Sequence, residues 1–236
     1  MASKLRALGE GWQPLLETAV AELAGGGLDV QALWPGSGDQ RAALERLGRL
    51  LDLVATWNAR TDLTAARDER ELVDLYLADA LVLAVSSLAS RQSAARERWA
   101  DVGSGAGAPG LVLHLLRPDL DITLIEPRAK RVAFLRTALG SLDLDQTARV
   151  LNQRSDALAP ASCEVAVSRA TFAPDQWLLE GARIAQKTVW VLLARAEVPN
   201  LAGWRVAREV AYRWPLTGVS RQASAFERQT VLADPA

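Results

Sequence analysis

The sequence predicts an α/β fold: a mostly parallel sheet interleaved with helices, preceded by a helical region. Three observations carry this. Residues 98–116 read as strand, glycine-rich turn, helix, which is how a nucleotide-binding α/β domain begins. After residue 98, short apolar runs alternate with stretches of helical period. Before residue 98, apolar residues recur at helical spacing with no strand-like alternation. The expected organisation is a helical region over 1–97 and a sheet domain over 98–236.

Residues 4–24 read as a first helix, with Leu5, Leu8, Leu15, Leu16, Val20 and Leu23 near helical spacing. Gly25-Gly26-Gly27 ends it, and Pro35-Gly36-Ser37-Gly38 makes a second break. Asp39 is the expected cap of the next helix, whose apolar face is Leu44, Leu47, Leu50, Leu51, Val54 and Trp57. Asn58 to Thr64 is polar and reads as irregular. Asp68 is placed to cap a third helix through Leu72, Val73, Leu75, Tyr76, Leu81 and Leu83. A charged run from Arg91 leads into the first strand at Arg98-Trp99-Ala100. A packed helix follows over 111–116, then a strand over 122–125 and a helix over 128–142. Further strands are expected at 148–151, 165–167 and 188–193, with a helix over 174–184. Val206, Val210, Tyr212 and Trp214 alternate as a strand does, with Arg208 breaking the pattern, and 226–232 can pair with it. Pattern alone gives a mixed sheet.

The chemistry sits in the turn Asp101-Val102-Gly103-Ser104-Gly105-Ala106-Gly107-Ala108-Pro109-Gly110. Glycines let a ligand lie against the backbone. No Gly-Lys-Ser/Thr follows them, which excludes a P-loop. The spacing also satisfies the dinucleotide fingerprint, but Asp101 would put a carboxylate against a pyrophosphate. S-adenosylmethionine carries an ammonium and a sulfonium instead, and an aspartate suits it. Glu126 ends the next strand, where a carboxylate accepts from ribose hydroxyls in both cofactor classes. The reading favours the methyl donor over NAD.

Bulk properties narrow the class. The 236 residues are 50% hydrophobic and 23% charged, enough for a real core. The net charge of −1 argues against a large phosphate footprint but leaves room for a local basic patch. One cysteine, Cys163, allows no internal disulfide, and no Cys/His cluster suits zinc. The N-terminus lacks a signal-peptide core and no run is long enough to cross a bilayer, so a cytoplasmic chain is expected. The single histidine, His114, reads as a solvent-facing or capped helix residue rather than a catalyst. The eight tryptophans read mostly as core anchors, with one left as a potential base-stacking platform.

The glycine turn, Leu124-Ile-Glu-Pro-Arg-Ala-Lys-Arg-Val-Ala-Phe-Leu135, and Val167-Ser-Arg-Ala170 together resemble the RsmG (GidB) family, as does the earlier run Trp57 to Ala65. The similarity covers roughly Leu44 to the C-terminus. The resemblance implies a class I methyltransferase, Rossmann-like, with a terminal antiparallel strand. It implies S-adenosylmethionine as cofactor and N7 of a guanine in 16S ribosomal RNA as target, on the RNA or the small ribosomal subunit. The cofactor residues it implies are Asp101, Gly103, Ser104, Gly105, Gly107, Ala108, Glu126, Ser155, Asp156 and Arg169. Ser155 and Asp156 would read the adenine edge, with a helix N-cap as the lesser alternative for Asp156. Arg169 would hold the methionine carboxylate or a substrate phosphate, and it can also pair with Asp101 or Glu126. Arg128, Lys130 and Arg131 are candidates for RNA phosphates or simply a solvated helix face, and Arg60, Arg67 and Arg70 could extend the patch. No catalytic residue is expected, because guanine N7 carries a lone pair and no proton; Arg169 is the best supporting candidate.

Two departures stand out. The family's Arg-His pair is replaced within Leu75-Tyr76-Leu77-Ala78-Asp79, and its Leu-Lys-Gly after the fifth strand reads Leu193-Ala194-Arg195. The alternatives are a methyltransferase of the same fold acting on a small molecule or protein, a non-catalytic cofactor- or RNA-binding assembly protein, and, last, an NAD-dependent oxidoreductase. A monomer without metal is expected.

Overall fold

The computed structural model describes residues 5–34, 36–88, 96–194 and 197–229. Expectations on Lys4, Pro35, 91–95, Arg195 and 230–232 lie outside them. Among the described residues, seven strands form one sheet in the order β3-β2-β1-β4-β5-β7-β6. The strands are β1 (Arg98–Val102), β2 (Asp121–Ile125), β3 (Ala148–Leu151), β4 (Cys163–Ser168), β5 (Ala185–Leu193), β6 (Trp204–Arg213) and β7 (Ser220–Arg228). The first five are parallel, and β7 inserts between β5 and β6, antiparallel to both. The antiparallel strand is therefore internal and β6 is the edge. The break at Arg208 is a register shift between Val206 and Arg208 on that edge, a usual place for a bulge.

The N-terminal helices depart from the expected bounds. α1 (Trp12–Gly25) begins eight residues later than the pattern suggested. Gly9 lies at φ 55°, and Asp52 accepts from the N–H groups of Leu8 and Gly9, which keeps this stretch out of α1 and leaves only a 3-10 turn, Gly9–Gly11, ahead of it. A one-turn α2 (Val30–Leu33), capped by Asp29, precedes α3 (Ser37–Thr61). Asp39 sits in the first turn of α3, not at its cap, which is Gly36. Asn58 to Thr61 is helical, contrary to expectation. The helix ends at Asp62, in the left-handed region, and Asn58 Oδ1 accepts from the N–H groups of Leu63 and Thr64. Leu44, Leu47, Leu50, Leu51 and Val54 are fully buried along one face, as their spacing requires.

Asp68 caps α4 (Glu69–Val73) by accepting from the Glu71 N–H. The third helix is not continuous: a π turn over Asp74–Ala78 separates α4 from α5 (Asp79–Ser86). Such a turn carries one residue more than the helix on either side. Behind the sheet strands come α6 (Gly110–Leu116), α7 (Ala129–Ser141) and α8 (Pro174–Ile184). One apolar cluster runs from Trp12 and Leu16 through Leu47 and Leu77 to Leu111, Ile122 and Phe134, so the helical region and one sheet face share a core. A second cluster, under α8, covers the other face.

Candidate active site

The order of strands reverses between β1 and β4, and open α/β sheets bind ligands at such a point. A cleft of about 340 Å³ opens there. One wall is the glycine turn from Gly103 to Ala106 with Ala108; the floor is Arg169, Ala170 and Thr171 after β4. The facing wall comes from the helical region: Leu63, Thr64, Glu71, Leu75 and Tyr76.

The glycine turn is built tightly. Ile125 O at the end of β2 accepts from the N–H groups of Gly103 and Ser104, at 2.8 and 3.1 Å. Gly103 has φ 74°, and a Cβ there would lie 2.1 Å from Thr171 Oγ1. Gly110 has ordinary φ but no room: a Cβ would lie 2.5 Å from both Cβ and Oδ2 of Asp101. That closeness lets Asp101 Oδ2 accept from the Gly110 N–H at 3.1 Å.

Asp101 is 1% exposed and sits behind the turn. Its second oxygen, Oδ1, has no hydrogen-bond partner among the described residues. Burial pushes its carboxyl up to about 6, against the lowering effects of the Gly110 N–H and the Arg169 charge. Ser104 is buried, and its hydroxyl donates to the Asp101 carbonyl. Glu126 is buried too. Its Oε2 accepts from the Gly105 N–H at 3.0 Å and its Oε1 from the Arg128 N–H at 2.9 Å, so it ties the glycine turn to the entry of α7.

Two cations line the cleft. Arg169 donates through Nη1 to the Leu75 carbonyl and to Asp79 Oδ2 at 3.0 Å. Its carboxylate partner is thus Asp79, not the Asp101 or Glu126 that its place after β4 suggested. Arg131, half-buried on the first turn of α7, reaches toward the glycine turn. A Cβ on Gly105 would lie 3.8 Å from its Nη1. Arg128 and Lys130 are exposed beside it.

Gly103, Ser104, Gly105, Ala108 and Arg169 line the cleft together; Asp101 and Glu126 pack behind its wall. Ser155 and Asp156 lie in a short turn, Ser155–Ala157, outside the lining. Asp156 is not an N-cap, since Arg154 occupies that place; it is exposed and pairs with Arg154. Of the further basic residues, Arg67 donates to Glu71, which itself lines the cleft, and Arg70 donates to the Leu216 carbonyl. His114 is fully buried, contrary to the solvent-facing reading. Its Nε2 lies 2.8 Å from Thr147 Oγ1, and burial lowers it to about 4. No tryptophan lines the cleft; seven are buried, and Trp57 packs edge-on against Phe134. Among the described residues no group of three or more His, Cys, Asp or Glu is placed to hold a metal, and no helix is long and apolar enough to cross a membrane.

Sequence reasoning missed Glu71, Leu75, Tyr76, Asp79 and Thr171. Tyr76 is the most informative: its buried hydroxyl donates to the Ala106 carbonyl at 2.9 Å, fixing the glycine turn to the π turn. Its signal was present, because Tyr76 stands where the expected basic pair is replaced.

Comparisons with known proteins agree with this geometry. The family described as rRNA small subunit methyltransferase G matches residues 43–198. Ribosomal RNA small subunit methyltransferase G of Halorhodospira halophila is 40% identical over 169 residues, 72% of this chain and 74% of that one. Its counterpart from Xanthomonas axonopodis pv. citri is 38% identical over 67% of this chain and 74% of that one. Among solved structures, a magnesium protoporphyrin IX methyltransferase from Synechocystis with bound SAM superposes with a TM-score of 0.50 and 14% identity, covering 64% of this chain and 79% of that one. At that identity the likeness is one of fold, the class I methyltransferase fold.

Proposed function

The chain belongs to the rRNA small subunit methyltransferase G family, and we propose that it transfers a methyl group from S-adenosylmethionine to N7 of a guanine in 16S rRNA. The observation that carries the reading is the buried, unpartnered Oδ1 of Asp101 directly behind a glycine turn in which Gly103 and Gly107, both at positive φ, have no room for a side chain. An unsatisfied buried oxygen is costly unless a ligand completes it. A cationic amino-acid group completes it and a pyrophosphate does not, so the residues fit the methyl donor.

When bound, the cofactor supplies a methyl group already activated on a sulfonium. The chain supplies position. Asp101 attracts the ammonium, and the backbone from Gly103 to Gly105, with Ala108 beside it and Gly107 behind it, admits the ligand closely. Glu126, behind the wall, holds the glycine turn and would accept from the ribose through its remaining lone pairs, while Ser155 and Asp156, outside the cleft lining, follow β3 on the side assigned to the adenine. Arg169 takes the methionine carboxylate through the part of its guanidinium fork that Asp79 leaves open. Arg131 meets a phosphate of the target nucleotide, and exposed Arg128 and Lys130 follow the RNA backbone. Guanine N7 needs no general base, so alignment and exclusion of water do the work. Leu63 and Leu75 are the apolar part of the wall that excludes it. His114, buried away from solvent, takes no part. The substrate, small ribosomal subunit or free 16S rRNA, places the chain in the cytoplasm, acting as a monomer.

The test is methyl transfer from labelled S-adenosylmethionine to small-subunit particles and to purified 16S rRNA lacking the modification. Label recovered as 7-methylguanosine is the expected result. Label on another nucleoside, or none despite cofactor binding by calorimetry, overturns the target.

A further inference from the structure

Asp79 is buried to 2% exposure, outside the cleft lining, yet its carboxylate collects three donors from two distant parts of the chain. Oδ2 accepts from Arg169 Nη1 at 3.0 Å. Oδ1 accepts from the Tyr212 hydroxyl at 2.8 Å and from Trp214 Nε1 at 3.1 Å. Tyr212 lies on β6 and Trp214 just beyond it; Arg169 follows β4. Asp79 itself is the first residue after the π turn, and the Leu75 carbonyl in that turn accepts from the same Arg169 nitrogen.

A long arginine side chain loses rotamer entropy when it is fixed. A guanidinium at the edge of an open cleft must have that ordering supplied before a ligand arrives if it is to bind well. Here the ordering comes from a buried carboxylate that the ligand does not touch. The described bonds engage only Nη1, so the rest of the planar fork is left for a second carboxylate. Asp79 is held in turn by two donors from the β6 end, so it cannot swing with Arg169.

We propose that Asp79 is the positioning residue for Arg169, holding its guanidinium where it meets the carboxylate of the bound methyl donor. The proposal rests on the cofactor reading above. It also explains why a π turn interrupts the third helix: the turn brings the Leu75 carbonyl and Asp79 to bear on one nitrogen.

The experiment is calorimetry on the full chain with two ligands. S-adenosylhomocysteine carries the amino-acid carboxylate and ammonium; 5′-methylthioadenosine has the same adenosine and sulfur without either, so the effect of Asp79 is read as the change in their affinity ratio between wild type and variant. Asp79→Asn keeps the shape and removes the charge. It is expected to weaken S-adenosylhomocysteine binding about tenfold or more, as loss of a charge-assisted contact does, and to leave 5′-methylthioadenosine within about twofold. Tyr212→Phe, a milder change that keeps the carboxylate, should show the same selectivity with a smaller loss and serves where Asp79→Asn fails to fold. Asp74→Asn is the control for a merely structural effect. Asp74 accepts from the N–H groups of Leu216 and Thr217 and from the Thr217 hydroxyl on the same π turn, without touching Arg169. It should lower the thermal midpoint and leave the ratio of the two affinities unchanged. Equal losses for both ligands in Asp79→Asn and Tyr212→Phe, or no loss for either, overturn the proposal. A wild-type chain that binds neither ligand overturns the cofactor reading and this inference with it; one that binds both equally well gives no weight to the amino-acid end, and overturns this inference together with the ammonium at Asp101.

Discussion

At Asp101 folding works against the charge that the proposed cofactor site would use. The carboxyl stands at about 6 in the folded chain, against 3.8 unfolded, because burial penalises its charged form. The folded state therefore holds the proton more tightly. This contribution to stability is fully present below about pH 3.8 and is lost as pH rises through 6. A shift of this size corresponds to roughly 3 kcal/mol. Asp101→Asn is neutral at every pH and escapes the loss. Urea unfolding should show its stability relative to wild type rising by up to about 3 kcal/mol between pH 4 and pH 7, while cofactor binding disappears. A stability difference that stays flat with pH would mean the carboxyl is not strained by burial. Asp101 and the glycines were legible in the sequence because their roles are local: the turn and its carboxylate lie within ten residues. Arg169 was legible only in part. Its place after β4 pointed to the cleft, but its partner Asp79 is 90 positions away and no spacing rule reaches that far. His114 was misread because α6 is buried on all sides, Gly110 to Leu116, so the usual outward face of a helix does not exist there.

Among the elements, those whose apolar pattern alone decides them came out close to expectation. β3 and α8 have the predicted bounds, since both are short, strongly patterned and bracketed by turn residues or proline. The helical region was harder, because side chains from elsewhere set its ends: Asp52 holds the chain ahead of α1, and Asn58 closes α3. The π turn had no sequence signal at all; the partners that its residues and Asp79 meet, Arg169 and the 214–217 segment, lie far away in the chain. Gly110 offers the sharpest test of tertiary control over local preference. In a helix, alanine is favoured over glycine by about 1 kcal/mol. At this position a methyl group meets Asp101 at 2.5 Å, between a helix and a central strand that cannot separate cheaply. Gly110→Ala should therefore lower stability, by about 1–3 kcal/mol as overpacking does, and weaken cofactor binding through Asp101. A thermal midpoint at or above wild type would show that the strand and helix can part without cost.

For the whole molecule, the shared core and the small net charge each lead to a consequence. Trp12, Leu16, Leu47 and Leu77 are fully buried in the same cluster as Leu111 and Phe134. The fragment 98–236 on its own would expose that face of the sheet, so it should fail to give a cooperative unfolding transition, whereas the full chain unfolds in one step by calorimetry. Two separated transitions in the full chain would instead make the helical region a domain of its own. The net charge of −1 gives no general attraction to a polyanion, so RNA affinity must come from cations gathered near the cleft. Several basic residues are already engaged: Arg67 by Glu71, Arg70 by a carbonyl and Arg169 by Asp79. Arg128 and Lys130 are exposed at the entry to α7, next to Arg131 in the cleft wall. With so few cations committed to RNA, each should weigh heavily. Replacing Arg128 and Lys130 together by alanine removes two phosphate contacts. The slope of log affinity against log salt should flatten by about 2, with S-adenosylhomocysteine affinity unchanged because neither side chain lines the cleft. A slope equal to that of wild type would move the RNA path away from the entry of α7.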